Sequence, residues 1–222
     1  MNMPSSLQPE ILSADYDLTD LYWKFLDIDQ YGVQRIRLLP AAEYKGIDHT
    51  AFRLWCNKTA RYGIPTTELV DWIRDRIAGR TALEIGAGNG NLGYHLGIDS
   101  TDSDLQSKPQ VAAFYAALRQ PTIVLPPEVV VEEANEAVSK RKPKVVIASW
   151  VTHKYDGGAV GNEYGPNEEE IVNQVESYIF IGNATVHGSK PIMKLPQKEF
   201  RFPWVVSRSK YPNENAVWVW GK

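Results

Sequence analysis

The run Glu84-Ile85-Gly86-Ala87-Gly88-Asn89-Gly90 carries the sharpest chemical signal in the chain. It closes a short apolar run, Thr81-Ala82-Leu83-Glu84-Ile85, and leads into about two turns of helical pattern over residues 91–96. A ligand lying across the carboxyl end of a strand needs backbone there with no Cβ in the way, which alternating glycines supply. Free N–H groups at the start of the following helix favour an electron-rich ligand. Glu84 is placed to accept hydrogen bonds from a cationic amino group or to organise the loop. A second polar set, Val151-Thr152-His153-Lys154-Tyr155-Asp156, follows the apolar residues 145–150. An imidazole with an ordinary pKa near 6.5 suits proton removal. His153 is therefore the candidate general base or substrate-orienting group, with Tyr155 and Asp156 assisting.

The elements that position these groups follow from periodicity and breakers. The first twenty or so residues are polar and hold two prolines, as in a loosely ordered arm. Residues 21–39 mix Trp23, Phe25, Ile28 and Ile36 with charges and fit no single period. Residues 48–62 read as a helix ended by Gly63-Ile64-Pro65. Thr66 or Thr67 caps a clearer helix over 68–78, with Leu69, Trp72, Ile73 and Ile77 on one face and Gly79 closing it. Residues 108–118 predict an amphipathic helix, and 122–125 and 129–131 read as strand pieces split by Pro126-Pro127. A short helix over 135–142 stops at Pro143, and the continuous apolar run 145–150 is that of a buried parallel strand. A Gly-rich loop over 155–166 leads to Asn167, which caps three acids in a first helical turn. Residues 177–181 form a further strand. Residues 202–207 and 216–220 read as an antiparallel hairpin joined at 212–215. Alternating strands and helices imply an α/β fold with a mostly parallel sheet and helices on both faces. Residues 1–79 are assigned to an arm and helical extension, and 80–222 to the sheet domain.

The 222 residues include seven Trp, eleven Tyr and six Phe, which excludes disorder as the main state. No uncharged apolar run approaches the roughly 20 residues that span a bilayer. The net charge of −3 and pI near 5.8 give no basic field for holding nucleic acid. The basic run at 139–144 reads as a solvated helix end. Cys56, the single cysteine, reads as a buried small hydrophobe. His49, His95, His153 and His187 show no metal-ligand spacing, so no metal is expected. Residues 1–6 lack a basic segment with an apolar core, which points to a cytoplasmic setting.

An acid followed by Gly-x-Gly-x-Gly resembles the first motif of class I S-adenosylmethionine-dependent methyltransferases. The resemblance covers residues 81–220 in topology and implies a Rossmann-like sheet, S-adenosylmethionine as cofactor, and a cleft at the carboxyl ends of the strands. It makes Glu84, Gly86, Ala87, Gly88, Asn89 and Gly90 the cofactor loop. In that family a helix and a full strand precede the acid that meets the ribose. Here Asp99 comes nine positions after Gly90 and Asp102 twelve, so the second strand must be short or absent. Asp102 is the first choice, because Ile98-Asp99-Ser100-Thr101 leaves room for a minimal strand, and Asp99 is the second. By position Glu133 follows the third strand, where the family contacts adenine. Ser149 and Trp150 end the fourth, where methyl donor and acceptor meet. The Asn/Asp-Pro-Pro-aromatic sequence of nucleic-acid amino methylation is absent at this place. The acidic pI favours a small-molecule or protein acceptor over nucleic acid, and the aromatic terminal hairpin is a candidate edge for pairing with a second copy.

Two other readings compete. Gly88-Asn89-Gly90-Asn91-Leu92-Gly93 fits the G-x-G-x-x-G of nicotinamide-dependent oxidoreductases, with Asp102 or Asp104 downstream, but it starts two residues late after its strand. A non-catalytic binding module on the same fold would show a second strand too short to seat the ribose.

Overall fold

The ambiguous stretch before residue 40 holds a helix and a two-stranded hairpin: Thr19–Phe25 (α1), Leu26–Ile28 (β1) and Gln34–Ile36 (β2). In this computed structural model, which describes residues 16–153 and 165–221, the mixed pattern there has a plain cause. The elements are too short for one period to show. Phe25, Leu26 and Ile36 face inward while Trp23 and Ile28 are exposed. His49–Lys58 (α2) follows, capped by the Asp48 side chain. Its Phe52, Trp55 and Cys56 join Phe25, Ile36 and Tyr44 in an aromatic core of the N-terminal segment. Cys56 is fully buried, and burial pushes its thiol pKa up.

Gly63–Ile64 (β3) leads into Thr67–Ile77 (α3), whose first turn is capped by the Thr66 hydroxyl. Ala82–Ile85 (β4), Asn91–Leu96 (α4) and Asp99–Asp102 (β5) come next, then Pro109–Ala117 (α5) and Val129–Val131 (β6). Ala134–Arg141 (α6), Val145–Ser149 (β7), Glu168–Val172 (α7) and Ser177–Asn183 (β8) continue the alternation. The chain ends with Ala184–His187 (α8), Lys198–Phe200 (β9), Val206–Ser207 (β10) and Asn215–Gly221 (β11).

Seven strands form one sheet in the order β6-β5-β4-β7-β8-β11-β9. The five strands from β6 to β8 are parallel, and β11 runs antiparallel between β8 and β9. This is the Rossmann-like, mostly parallel sheet with a C-terminal antiparallel hairpin that the sequence implies. The hairpin's first strand is β9 rather than residues 202–207, a correction in detail. Within that segment, β10 pairs instead with β3, matching Val206 to Ile64. Phe200, Phe202 and Trp204 stack on one another while Trp72 meets them edge-on or tilted, so beyond β9 the alternation serves a ring ladder rather than a strand.

Alternation along β7 sends side chains to two cores. Val146 and Ala148 pack with Ala137, Val138, Ile171, Tyr178 and Trp218 on one face. Val145 and Ile147 pack with Leu69, Val70, Ile73 and Ile77 of α3 on the other. α3 thus covers the sheet itself. The N-terminal segment is fastened to α4 by side chains one turn apart: Asn91 Oδ1 accepts the Ile36 N–H at 2.7 Å, and His95 Nε2 bonds the Ile36 carbonyl at 2.8 Å. Burial lowers the His95 pKa, consistent with a neutral ring in this contact. Among the described residues no helix is long and apolar enough to cross a membrane.

Candidate functional site

A cavity of about 310 Å³ opens at the carboxyl ends of β4, β5 and β7. It lies where β4 has β5 on one side and β7 on the other, the switch point at which open α/β sheets bind ligands. Its volume falls within the roughly 300–1,000 Å³ of small-molecule sites.

The glycine loop forms its floor. Gly86, at φ +59°, has a Val151 methyl 2.3 Å from where a Cβ would stand, so any side chain there must displace the wall after β7. Gly88, at φ +55°, faces Ile123 at 3.0 Å in the same sense. The loop is tied down internally. The Ala87 N–H donates to the Thr101 carbonyl at 3.0 Å and the Gly90 N–H to that of Ala87 at 2.9 Å. The Gly88 N–H donates to Asp102 Oδ2 at 2.8 Å. These three loop donors are spent within the protein, and at the start of α4 the Gly93 N–H is taken by Glu84. Asn89 also lines the cavity and donates to the Ala60 carbonyl.

Glu84 takes the second of its two expected roles. Its Oε2 accepts from the Gly93 N–H and the Ser100 hydroxyl, each at 2.9 Å, tying β4 to α4 and β5. Burial pushes its pKa up to about 7 despite these bonds, and the nearby Asp102 charge adds to the rise. A folded-state value above the ordinary 4.5 means the folded chain holds the proton more tightly, so stability falls as pH rises from about 4.5 through 7. The full span amounts to about 3 kcal/mol. Glu84→Gln keeps an acceptor for both donors and removes the titration. The stability difference between variant and wild type, from urea unfolding, should grow in the variant's favour between pH 5 and pH 8. A difference independent of pH would overturn this account. The comparison must be by difference, because buried His95 and His187 have lowered pKa values and act in the opposite direction.

The two candidate aspartates separate cleanly. Asp102, at the end of β5, lines the cavity; its Oδ2 takes the Gly88 N–H and its Oδ1 the Asp104 N–H at 2.8 Å. Burial raises its pKa against these bonds. Asp99, at the start of the same strand, is exposed and paired with Arg141 at 3.4 Å, away from the cavity. Three residues apart, they point to opposite faces of β5, and Asp102 is the one at the strand's cavity end. Glu133 lines the cavity after β6, as do Ser149 and Trp150 after β7. Trp150 adopts φ +61°, unusual for a bulky residue, and its backbone N–H donates to the Ile181 carbonyl. Its ring lies 6.3 Å from Tyr62 and edge-on to His187 at 5.0 Å.

His153 is not brought into this group. It is buried and is not among the residues that line the cavity, although Val151 and Thr152 before it are, and Gly165 stands against its carbonyl. Tyr155, Asp156 and most of the Gly-rich loop lie outside the described residues. Residues 122–125 form no strand; Ile123 and Leu125 line the cavity instead. Sequence reading also missed Tyr62 and Tyr115, which line the opening with hydroxyls 2.8 Å apart. Burial and the Tyr62 neighbour raise the Tyr115 pKa. Among the described residues no cluster of His, Cys, Asp and Glu could hold a metal ion.

No protein-family model matches the chain, and no curated protein matches it either. Several solved structures align with it at low identity. An rRNA methylase from Streptococcus thermophilus aligns at 10% identity and TM-score 0.37, over 68% of this chain and 94% of its own. The METTL16 MTase domain aligns at 13% and 0.37, over 93% and 92%. A SAM-dependent methyltransferase from Agrobacterium tumefaciens aligns at 8% and 0.35, over 68% and 60%.

Proposed function

We propose that the chain binds S-adenosylmethionine in this cavity and transfers its methyl group to a small molecule or a protein side chain. One observation carries the reading. The acid at the carboxyl end of the second sheet strand, Asp102, lines the cavity with both oxygens oriented by backbone N–H groups. This is the geometry of a carboxylate fixed to accept vicinal ribose hydroxyls. The non-catalytic reading turned on a second strand too short to seat such an acid; β5 has four residues and still delivers it. Against the nicotinamide reading stands the strand order, since dinucleotide sheets run 3-2-1-4-5-6. Here an antiparallel strand is inserted before the edge.

The donor set suits the cofactor. Among the described residues, the cavity is lined by the carboxylates Asp102, Asp104 and Glu133, with Glu84 only partly ionised near neutral pH, and by no Lys, Arg or His. Such a lining favours a ligand of net positive charge and disfavours phosphates. When bound, the cofactor supplies a methyl carbon activated by a cationic sulfur. Asp102 holds the ribose, Glu133 and the Ala134 backbone stand at the adenine edge, and Ser149 and Trp150 form the wall where the acceptor approaches. Val151, Ile181 and Leu69 exclude water from the same space. The protein's contribution is alignment of nucleophile, methyl and leaving group.

Calorimetric titration of S-adenosylhomocysteine, with nicotinamide adenine dinucleotide in parallel, tests this. Micromolar binding of the first is expected, and binding of the second alone overturns it. Asp99→Asn should leave the affinity within about twofold, as expected for an exposed ion pair remote from the site.

A further inference from the structure

We propose that Tyr62 and Tyr115 are positioning residues that latch the segment between Asp104 and Arg119 over the cavity. Its ligand-binding consequence rests on the cofactor reading above; the latch itself does not.

None of the nine residues of α5 is buried, although the helix is rich in Ala and carries Val111, Phe114 and Tyr115. Phe114 is 48% exposed. The amphipathic pattern predicted for 108–118 therefore has no core to pack on, and apolar burial does not hold this helix in place. Segments with few buried apolar contacts open at low free energy. Asp104 and Arg119 bracket the segment, each a non-glycine residue at φ +53°. These two left-handed backbone positions lie at the ends of a segment whose residues can move as a unit.

What fastens the segment is polar. The Tyr115 hydroxyl lies 2.8 Å from that of Tyr62, and either can donate. Gln106 Nε2 donates to the Tyr115 oxygen at 3.2 Å, while Gln106 Oε1 accepts the Ile123 N–H at 2.8 Å. Tyr62 is the fixed post. Its ring lies under the Arg208 guanidinium at 3.7 Å, and its carbonyl accepts the Arg208 backbone N–H at 3.0 Å. Leu105, Gln106, Val111 and Tyr115 all line the cavity, so the latched segment is one of its walls. A bound ligand would be released more easily once the hydroxyl contact is lost.

Removing one hydrogen bond should raise local opening about five- to tenfold. Amide hydrogen exchange on the free protein reads this directly. Tyr115→Phe and Tyr62→Phe should each speed exchange over residues 111–118 by that factor and leave β7 and β8 unchanged. Tyr115→Phe also removes the acceptor of Gln106 Nε2, so the double variant should do no more than Tyr115→Phe alone, the contact between the two hydroxyls being lost only once. In the ligand arm, S-adenosylhomocysteine should dissociate about five- to tenfold faster from either variant, with association changed less than about twofold. A purely structural role would move exchange across the whole sheet and leave the dissociation rate alone. Unchanged exchange over 111–118, or additive effects in the double variant, overturns the latch. If the wild type fails to bind the probe, the cofactor reading falls while the exchange experiment still decides the latch.

Discussion

Asp102→Ala is expected to weaken S-adenosylhomocysteine binding by about 100-fold while leaving the protein folded. A hydrogen bond to a charged group contributes about 1.5–3 kcal/mol, and a carboxylate meeting two vicinal hydroxyls makes two of them. Each 1.4 kcal/mol is about tenfold in affinity. Part of the loss arises indirectly, since the Gly88 and Asp104 N–H groups both lose their acceptor and the loop loses its shape. Asp102→Asn separates the two contributions. It keeps one oxygen for one of those donors and should lose only about tenfold. Burial raises the Asp102 pKa, so wild-type affinity should fall as pH drops through that raised value, and the alanine variant should not share the fall. Calorimetry at several pH values, with thermal unfolding as the control for folding, checks all three. Affinity within about threefold of wild type in both variants would remove Asp102 from the site.

The parts of this arrangement that were legible in the sequence are those where one local rule decides. β4 and its glycines were visible because positive φ and close approach exclude other residues, and β7 because a strand buried on both faces reads as a continuous apolar run. Spacing alone allowed a minimal second strand ending near Asp102. The choice between Asp99 and Asp102 was legible only as a preference, because it depends on which end of a four-residue strand meets the cavity. Illegible parts depend on partners far away in the chain. Nothing local marks Asn91 and His95 as holding both backbone groups of Ile36, a contact across more than fifty residues. Residues 108–118 carry a helical apolar pattern, yet the pattern cannot say whether a core waits beneath it. The misplacement of the hairpin's first strand has the same origin. Phe200, Phe202 and Trp204 alternate as a strand does, but their rings stack on one another with Trp72 of α3 packed edge-on or tilted against them, a contact that only the folded chain brings about.

Glu168 shows the same limit with the larger consequence for stability. Its place among three acids suits a helix N-terminus, but its side chain is only 2% exposed and pairs with equally buried Lys190 at 2.7 Å. Tyr178 also donates to its Oε1 at 2.6 Å, whereas Oε2 is buried with no hydrogen-bond partner among the described residues. Lys190 in turn donates to the Val151 carbonyl at 3.0 Å and lies 3.7 Å from the Phe180 ring centroid. Lys190→Met should therefore strand a buried carboxylate and destabilise the protein by about 3–5 kcal/mol. For a chain of this size that is a fall in Tm of roughly 10 °C. The double variant Lys190→Met/Glu168→Leu replaces both charges with apolar groups of similar volume and should recover most of the loss. Ligand binding should not recover with it. The Lys190 ammonium fixes the carbonyl of the residue whose methyl occupies the space above Gly86, and neither Met nor Leu can hold that carbonyl. Thermal unfolding and S-adenosylhomocysteine titration of the two variants thus give a crossed result, with stability restored and affinity still reduced about tenfold, the effect of one lost charge-assisted hydrogen bond. Stability and affinity recovering together would mean that the pair serves the core alone and has no part in shaping the cavity wall.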